Sequence, residues 1–138
     1  MLMNAFWDAY PAMKMLKENL EAVYKKEGHL VGLDGRVFKV REERKLLNQL
    51  LQGNAAIVFK KWMEKIHLWK YADGMQHKMF QLLGYHDELL HEVIGTEMQT
   101  ALVGSKIVHL AEVTGEELGI NVKIGAEYKV GKTYADCH

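Results

Sequence analysis

The chain has a single cysteine, Cys137, one position from the end of its 138 residues. One thiol cannot close an internal disulfide, so no cystine framework holds the fold. That composition suits a reducing compartment, and the expected location is the cytoplasm. Proline is equally scarce, with Pro11 alone. No apolar run approaches the ~20 residues of a membrane-spanning helix, so no membrane association is expected. The opening segment MLMNAFWDAYPAMK lacks a basic stretch leading into an apolar one, and no signal peptide is expected. Net charge is absent as well, since 18 Lys+Arg balance 18 Asp+Glu. There is no internal repeat and no low-complexity linker.

What is present is an ordinary globular composition, 49% hydrophobic and 26% charged. The length suits a single unit with its own core. The zero net charge conceals an asymmetry. Residues 1–78 carry 14 basic and 9 acidic side chains, a net +5, whereas residues 79–138 carry 4 and 9, a net −5. A basic half suits a polyanion and an acidic half suits cations, although each half can also simply solvate its own surface.

The periodicities predict a mixed α+β chain read as one unit over residues 1–138. A helix is expected over 5–28, with Pro11 at its opening and Met13, Leu16, Leu20, Val23 and Tyr24 on one apolar face. A hairpin follows over 29–41, turning at Asp34-Gly35, a pair that favours positive φ. A long helix is expected over 42–72. Leu47, Leu50 and Leu51 help set its apolar side, and Gly53 is a soft spot within it. A second hairpin is expected over 79–94, with His86-Asp87-Glu88 at its turn. A helix over 96–118, capped by Thr96, presents Leu102, Val103, Ile107, Leu110 and Ala111 inward. A strand and tail complete the chain over 120–138.

Three groups of residues could carry chemistry. Asp87 and Glu88 place adjacent carboxylates at a tight turn, where they repel one another unless a cation is near. Hard cations such as magnesium take carboxylate oxygens and bridge to phosphates. A solvated polar turn has the same composition. A rival use of the same region is the pair Glu64-x-x-His67 and Glu88-x-x-His91, the spacing of di-iron helix bundles, which needs both pairs on helices and further inward glutamates such as Glu18 and Glu21. The third group is basic: Arg36, Lys39, Arg41, Arg44 and Lys45. Arg44, Asn48 and Gln52 lie four apart, on one helix face. Arginine meets phosphate well, and the amides can reach base edges or sugars. An ordinary solvated helix face looks the same.

Taken in order, these segments resemble the C-terminal part of family A (Pol I type, phage-like) DNA polymerases. FWDAYPAMKMLKENLEAVYKKEGHLVGLDGRVFKV, residues 6–40, is similar to the helix and Leu-Asp/Asn-Gly-Arg hairpin that follow that family's nucleotide-binding helix. RKLLNQLLQGNAAIVFKKWM, residues 44–63, is similar to its Arg-x-x-x-Asn-x-x-x-Gln-Gly-x-Ala-Ala helix. LLGYHDELLHEV, residues 82–93, is similar to its motif C, and YADCH to its aromatic-x-x-x-His terminus.

The resemblance implies a palm-type antiparallel sheet with a motif C hairpin, packed against about three helices. It implies Asp87 as a ligand of catalytic magnesium, Glu88 as its supporting neighbour, and His86 beside the primer terminus. Arg44, Asn48 and Gln52 correspond to contacts along the minor groove of a DNA primer–template. There the acceptors are much alike for every base pair, so such contacts check duplex shape rather than sequence. The segments corresponding to motifs A and B are not found in this sequence. The resemblance therefore predicts a subunit or fragment of a split polymerase, inactive alone, whose partner is a complementary chain carrying those motifs. Self-association of the isolated chain is expected too. The alternative is a non-catalytic DNA-binding or regulatory remnant with the palm fold.

Overall fold

In the computed structural model, residues 2–137 are described, and the side chains from residue 5 onward. The order is α1 (Leu2–Ala9), α2 (Pro11–Glu27), β1 (Leu30–Val31), β2 (Val37–Phe38), α3 (Leu46–Ala72), β3 (Met79–Tyr85), β4 (Glu88–Val93) and α4 (Glu97–Glu117). Short 3-10 turns occupy Glu43–Lys45 and Tyr134–Asp136. The chain is α+β, with two small antiparallel sheets, β1–β2 and β3–β4.

The expectation of one unit gives way to two compact ones, residues 1–57 and 58–138. The reason lies in α3, whose early turns supply one core and whose later turns supply another. In the first unit Leu30, Val40 and Leu46 are buried, with Leu20, Tyr24, Phe38 and Leu50 packed around them. The Tyr24 hydroxyl donates to the Val40 carbonyl at 2.8 Å, fixing the end of α2 to the segment after β2. In the second unit Ile66, Met79, Val103 and Leu110 form the core, flanked by Trp62, Trp69, Leu89, Val93 and Ile107. Trp62 Nε1 donates to the Ile107 carbonyl at 2.8 Å, tying α3 to α4.

Several expectations are corrected. The first helix is two helices, divided at Tyr10. Proline disfavours the helical region for the residue before it, and Tyr10 adopts φ −126° and ψ 68°. Pro11 then occupies the first turn of α2, where its missing N–H costs nothing. The face assigned to α2 is only partly covered, with Leu16 and Val23 exposed. In α3, Leu51 is 50% exposed, and the inward stripe consists of Leu46, Leu50, Gly53 and Ile57. In α4, Leu102 is 65% exposed. Its inward side runs instead through Val103, Gly104, Leu110, Ala111, Thr114 and Gly115.

The expected strand over 120–130 does not form. Among the described residues no strand lies beside it to take its backbone hydrogen bonds, and two of its side chains dock into notches along α4 instead. Ile124 occupies the space over Gly115, where a Cβ would lie 2.6 Å from Ile124 Cγ1. Tyr128 fills the equivalent space over Gly104.

The remaining elements form where their local chemistry directs. Gly28 ends α2 in the left-handed region with φ 73°, its N–H donating to the Tyr24 carbonyl. Thr96 and Gln99 form a reciprocal capping box at the start of α4.

Candidate nucleic-acid face and acidic hairpin tip

The hairpin β3–β4 carries the acidic residues. Its register runs from Met79 opposite Val93 to Tyr85 opposite Glu88, with a bulge between Gln81 and Leu83. Met79 is fully buried, which anchors the far end of β3 in the core. Beyond it the remaining residues of β3 are exposed, so the tip projects from the core. Because Tyr85 pairs with Glu88, the turn consists of His86 and Asp87 alone, and Glu88 already belongs to β4.

His86 has φ 52°, and among the described residues it is the non-glycine with positive φ. That conformation costs an L-residue about 1–2 kcal/mol. The imidazole lies against Tyr85, with ring centroids 4.1 Å apart at 67°. An edge-to-face pair contributes about 0.5–1.5 kcal/mol, comparable to the backbone cost, so the turn tolerates histidine. Asp87 is exposed and Glu88 half-buried.

Farther along β4, His91 is partly buried, and its Nε2 is enclosed with no hydrogen-bond partner. Burial, and after it the Lys70 ammonium, pushes its pKa down to about 4, which keeps the ring neutral. Glu88 and His91 stand three apart on a strand and therefore face opposite sides. The di-iron arrangement, which needs them together on a helix face, is not formed. Glu64 is instead held by Lys61 at 2.8 Å, and that ammonium keeps its carboxyl below the usual range. Among the described residues no group of three or more His, Cys, Asp or Glu could hold a metal ion.

In the first unit, Arg44, Asn48 and Gln52 are all exposed. Asn48 and Gln52 lie on α3 one turn apart, away from the Leu46–Ile57 stripe, and Arg44 lies in the 3-10 turn before it. Arg44 Nε donates to Glu42 at 2.6 Å, and Lys45 Nζ donates to the same carboxylate at 2.6 Å. The Lys45 and then the Arg44 hydrogen bonds hold the Glu42 carboxyl below its ordinary pKa. The Arg44 side chain remains 81% exposed. Such an exposed pair is weak, so a phosphate can displace the carboxylate at little cost. Arg36 is more tightly held, by a bidentate contact to Asp34 in the β1–β2 turn, Nε donating to Oδ1 at 3.0 Å and Nη2 to Oδ2 at 2.6 Å. That guanidinium lowers the Asp34 pKa.

Asn54 was not singled out by the sequence pattern, yet its Oδ1 accepts from the Leu33 N–H at 3.0 Å and fastens the β1–β2 turn to α3. Gly53, read as a soft spot, is a packing notch. A Cβ there would lie 2.6 Å from Phe38 Cζ, and one at Gly32 would lie 2.8 Å from the same atom. The signal available was Gly53-Asn54 on the apolar stripe of an otherwise strong helix.

The comparisons agree on one architecture. The chain matches 21% of the POL domain of Pol1 from M. smegmatis, solved in complex with DNA primer-template and dNTP. That match covers 81% of this chain, with TM-score 0.71 and 22% sequence identity. This chain has the fold of part of a family A DNA polymerase. Over 99% of its length it is also 24% identical to the DNA-directed DNA polymerase of Enterobacteria phage T3. The relation to the polymerase of Escherichia phage T7 is the same, 24% over 99%. The chain spans about a fifth of these curated relatives, 22% of each. No family model matches it. No helix among the described residues is long and apolar enough to cross a membrane.

Proposed function

We propose that this chain supplies the motif C segment and part of the primer–template surface of a family A DNA polymerase. The other catalytic segments come from a complementary chain, or from the rest of a longer one. The observation that carries this reading is the His86-Asp87 turn of β3–β4, with Glu88 next to it, in a chain resembling polymerases along nearly its whole length. The reaction joins a primer 3′ hydroxyl to the α-phosphate of a nucleotide and releases pyrophosphate.

Asp87 is exposed and Glu88 begins the next strand, so both are hard oxygen donors at a projecting edge. That set suits magnesium, which typically takes one or two carboxylates and completes its sphere with water and phosphate. When bound, magnesium stabilises charge on the attacking and leaving oxygens. Asp87 is the ligand, and Glu88 supports it. His86 faces the primer end. Arg44 meets a backbone phosphate, and Asn48 and Gln52 contact the minor groove.

The test is reconstitution with a chain carrying motifs A and B. Magnesium- and primer-dependent synthesis is expected from the mixture, and Asp87→Asn should lower kcat by at least about 10²-fold. An unchanged kcat would remove Asp87 from the metal site. Retained DNA binding without synthesis in any mixture would favour the alternative, a non-catalytic DNA-binding segment with the same fold.

A further inference from the structure

We infer that Tyr85 is a positioning residue, holding the His86 imidazole in one orientation at the tip of the β3–β4 hairpin. The inference deepens the polymerase reading and rests on it only for what His86 would meet, a nucleic-acid 3′ end.

Consecutive side chains on a strand point to opposite faces, so neighbours in sequence do not ordinarily touch. Here they do, with ring centroids 4.1 Å apart and planes at 67°. The contact depends on the positive φ of His86, 52°, which takes its side chain out of the strand's alternation. Glycine is the undemanding residue for such a turn position. A histidine there adopts that conformation at a backbone cost, and such costs cluster at functional sites.

Tyr85 is 60% exposed, so its ring adds little to the core. Its backbone is nevertheless fixed, because Tyr85 and Glu88 form the pair that closes the turn. A stiff ring on a fixed strand end therefore meets an imidazole on a two-residue loop. Edge-to-face packing is directional, and it limits the rotamers open to His86. An aliphatic residue at position 85 would preserve the strand and lose that direction.

The experiment uses the full chain, labelled for NMR, as wild type, Tyr85→Phe and Tyr85→Val. Wild type and Tyr85→Phe should show ring-to-ring contacts between positions 85 and 86 and a single His86 rotamer. Tyr85→Val should show averaged rotamers at His86 with the β3–β4 cross-strand pairing retained, and Tyr85→Leu repeats the comparison if valine disturbs that pairing. A single His86 rotamer in the aliphatic variants, or averaging in Tyr85→Phe, would overturn the inference.

In the reconstituted assembly, Tyr85→Val should raise KM for primer–template several-fold while Tyr85→Phe restores it. Unchanged KM and kcat for Tyr85→Val in an active assembly would also count against it. If no mixture containing the wild-type chain makes DNA, the polymerase reading fails, and the NMR comparison still decides the role of Tyr85.

Discussion

At the scale of single residues, the exposed face before and along α3 and the partly buried His91 make separable predictions. If Arg44 and Gln52 meet a duplex, their loss should leave folding intact, because both are exposed. Gln52→Ala should weaken primer–template binding by the reconstituted complex by about 1–3 kcal/mol if it leaves a buried partner unsatisfied. Arg44→Ala should weaken it too, and that part should shrink at high salt because a phosphate contact releases counterions. Fluorescence anisotropy at two salt concentrations measures both, and wild-type affinity in both variants would sink these contacts. His91 bears on stability instead. Its folded pKa is depressed to about 4 from 6.5. The unfolded chain therefore binds the proton first as pH falls, and stability declines from about pH 6.5 down to about pH 4. Melting temperatures across that window should fall for wild type and fall less for His91→Gln. Equal slopes would show that some other group governs the acid limb.

At the scale of elements, small residues decide how helices meet their neighbours. Phe38 approaches both Gly32 and Gly53 more closely than a Cβ would allow. In an exposed helix Gly→Ala usually gains about 0.5–1 kcal/mol of helix propensity. At Gly53 the sign should reverse, since an added Cβ would meet the Phe38 ring, which also lies against Gly32. Gly53→Ala is expected to lower the denaturation midpoint by about 1–3 kcal/mol, the usual cost of overpacking. A stabilised Gly53→Ala variant would show that Phe38 is loosely held. The same device operates on α4, where Gly104 and Gly115 receive Tyr128 and Ile124. These contacts explain why residues 120–130, patterned as a strand, lie along a helix instead.

At the scale of the whole molecule, the chain offers one acidic tip and no complete metal-holding group among the described residues. On the proposed reading, in which another chain or segment supplies motifs A and B, this chain alone is expected to show no primer extension. Magnesium-dependent synthesis abolished by Asp87→Ala would contradict this. Its second unit also presents apolar side chains along β3, with Leu82 59% and Leu83 43% exposed. In a two-stranded sheet each strand has an outer edge open to pairing. Size-exclusion chromatography should find the isolated chain self-associated at high concentration, and Leu82→Lys should shift it toward monomer.

Elements whose signals are local can be read from the residues alone. Pro11 and Gly28 mark the bounds of α2, Asp34-Gly35 marks the first turn, and Thr96 starts α4. Two apolar β-prone runs flanking His86-Asp87-Glu88 also point to a hairpin there, and the structure narrows its turn to His86 and Asp87. Only the tertiary structure decided which apolar residues face inward. A 3.6-residue period admits several stripes, and the choice of Leu46 over Leu51, or Gly104 over Leu102, is made by what packs opposite. Tertiary structure likewise withheld the strand at 120–130, since a strand needs a partner to take its hydrogen bonds and an amino-acid pattern cannot supply one. It also brought Tyr85 onto His86, because that contact follows from a positive φ at the turn rather than from the spacing of the two residues.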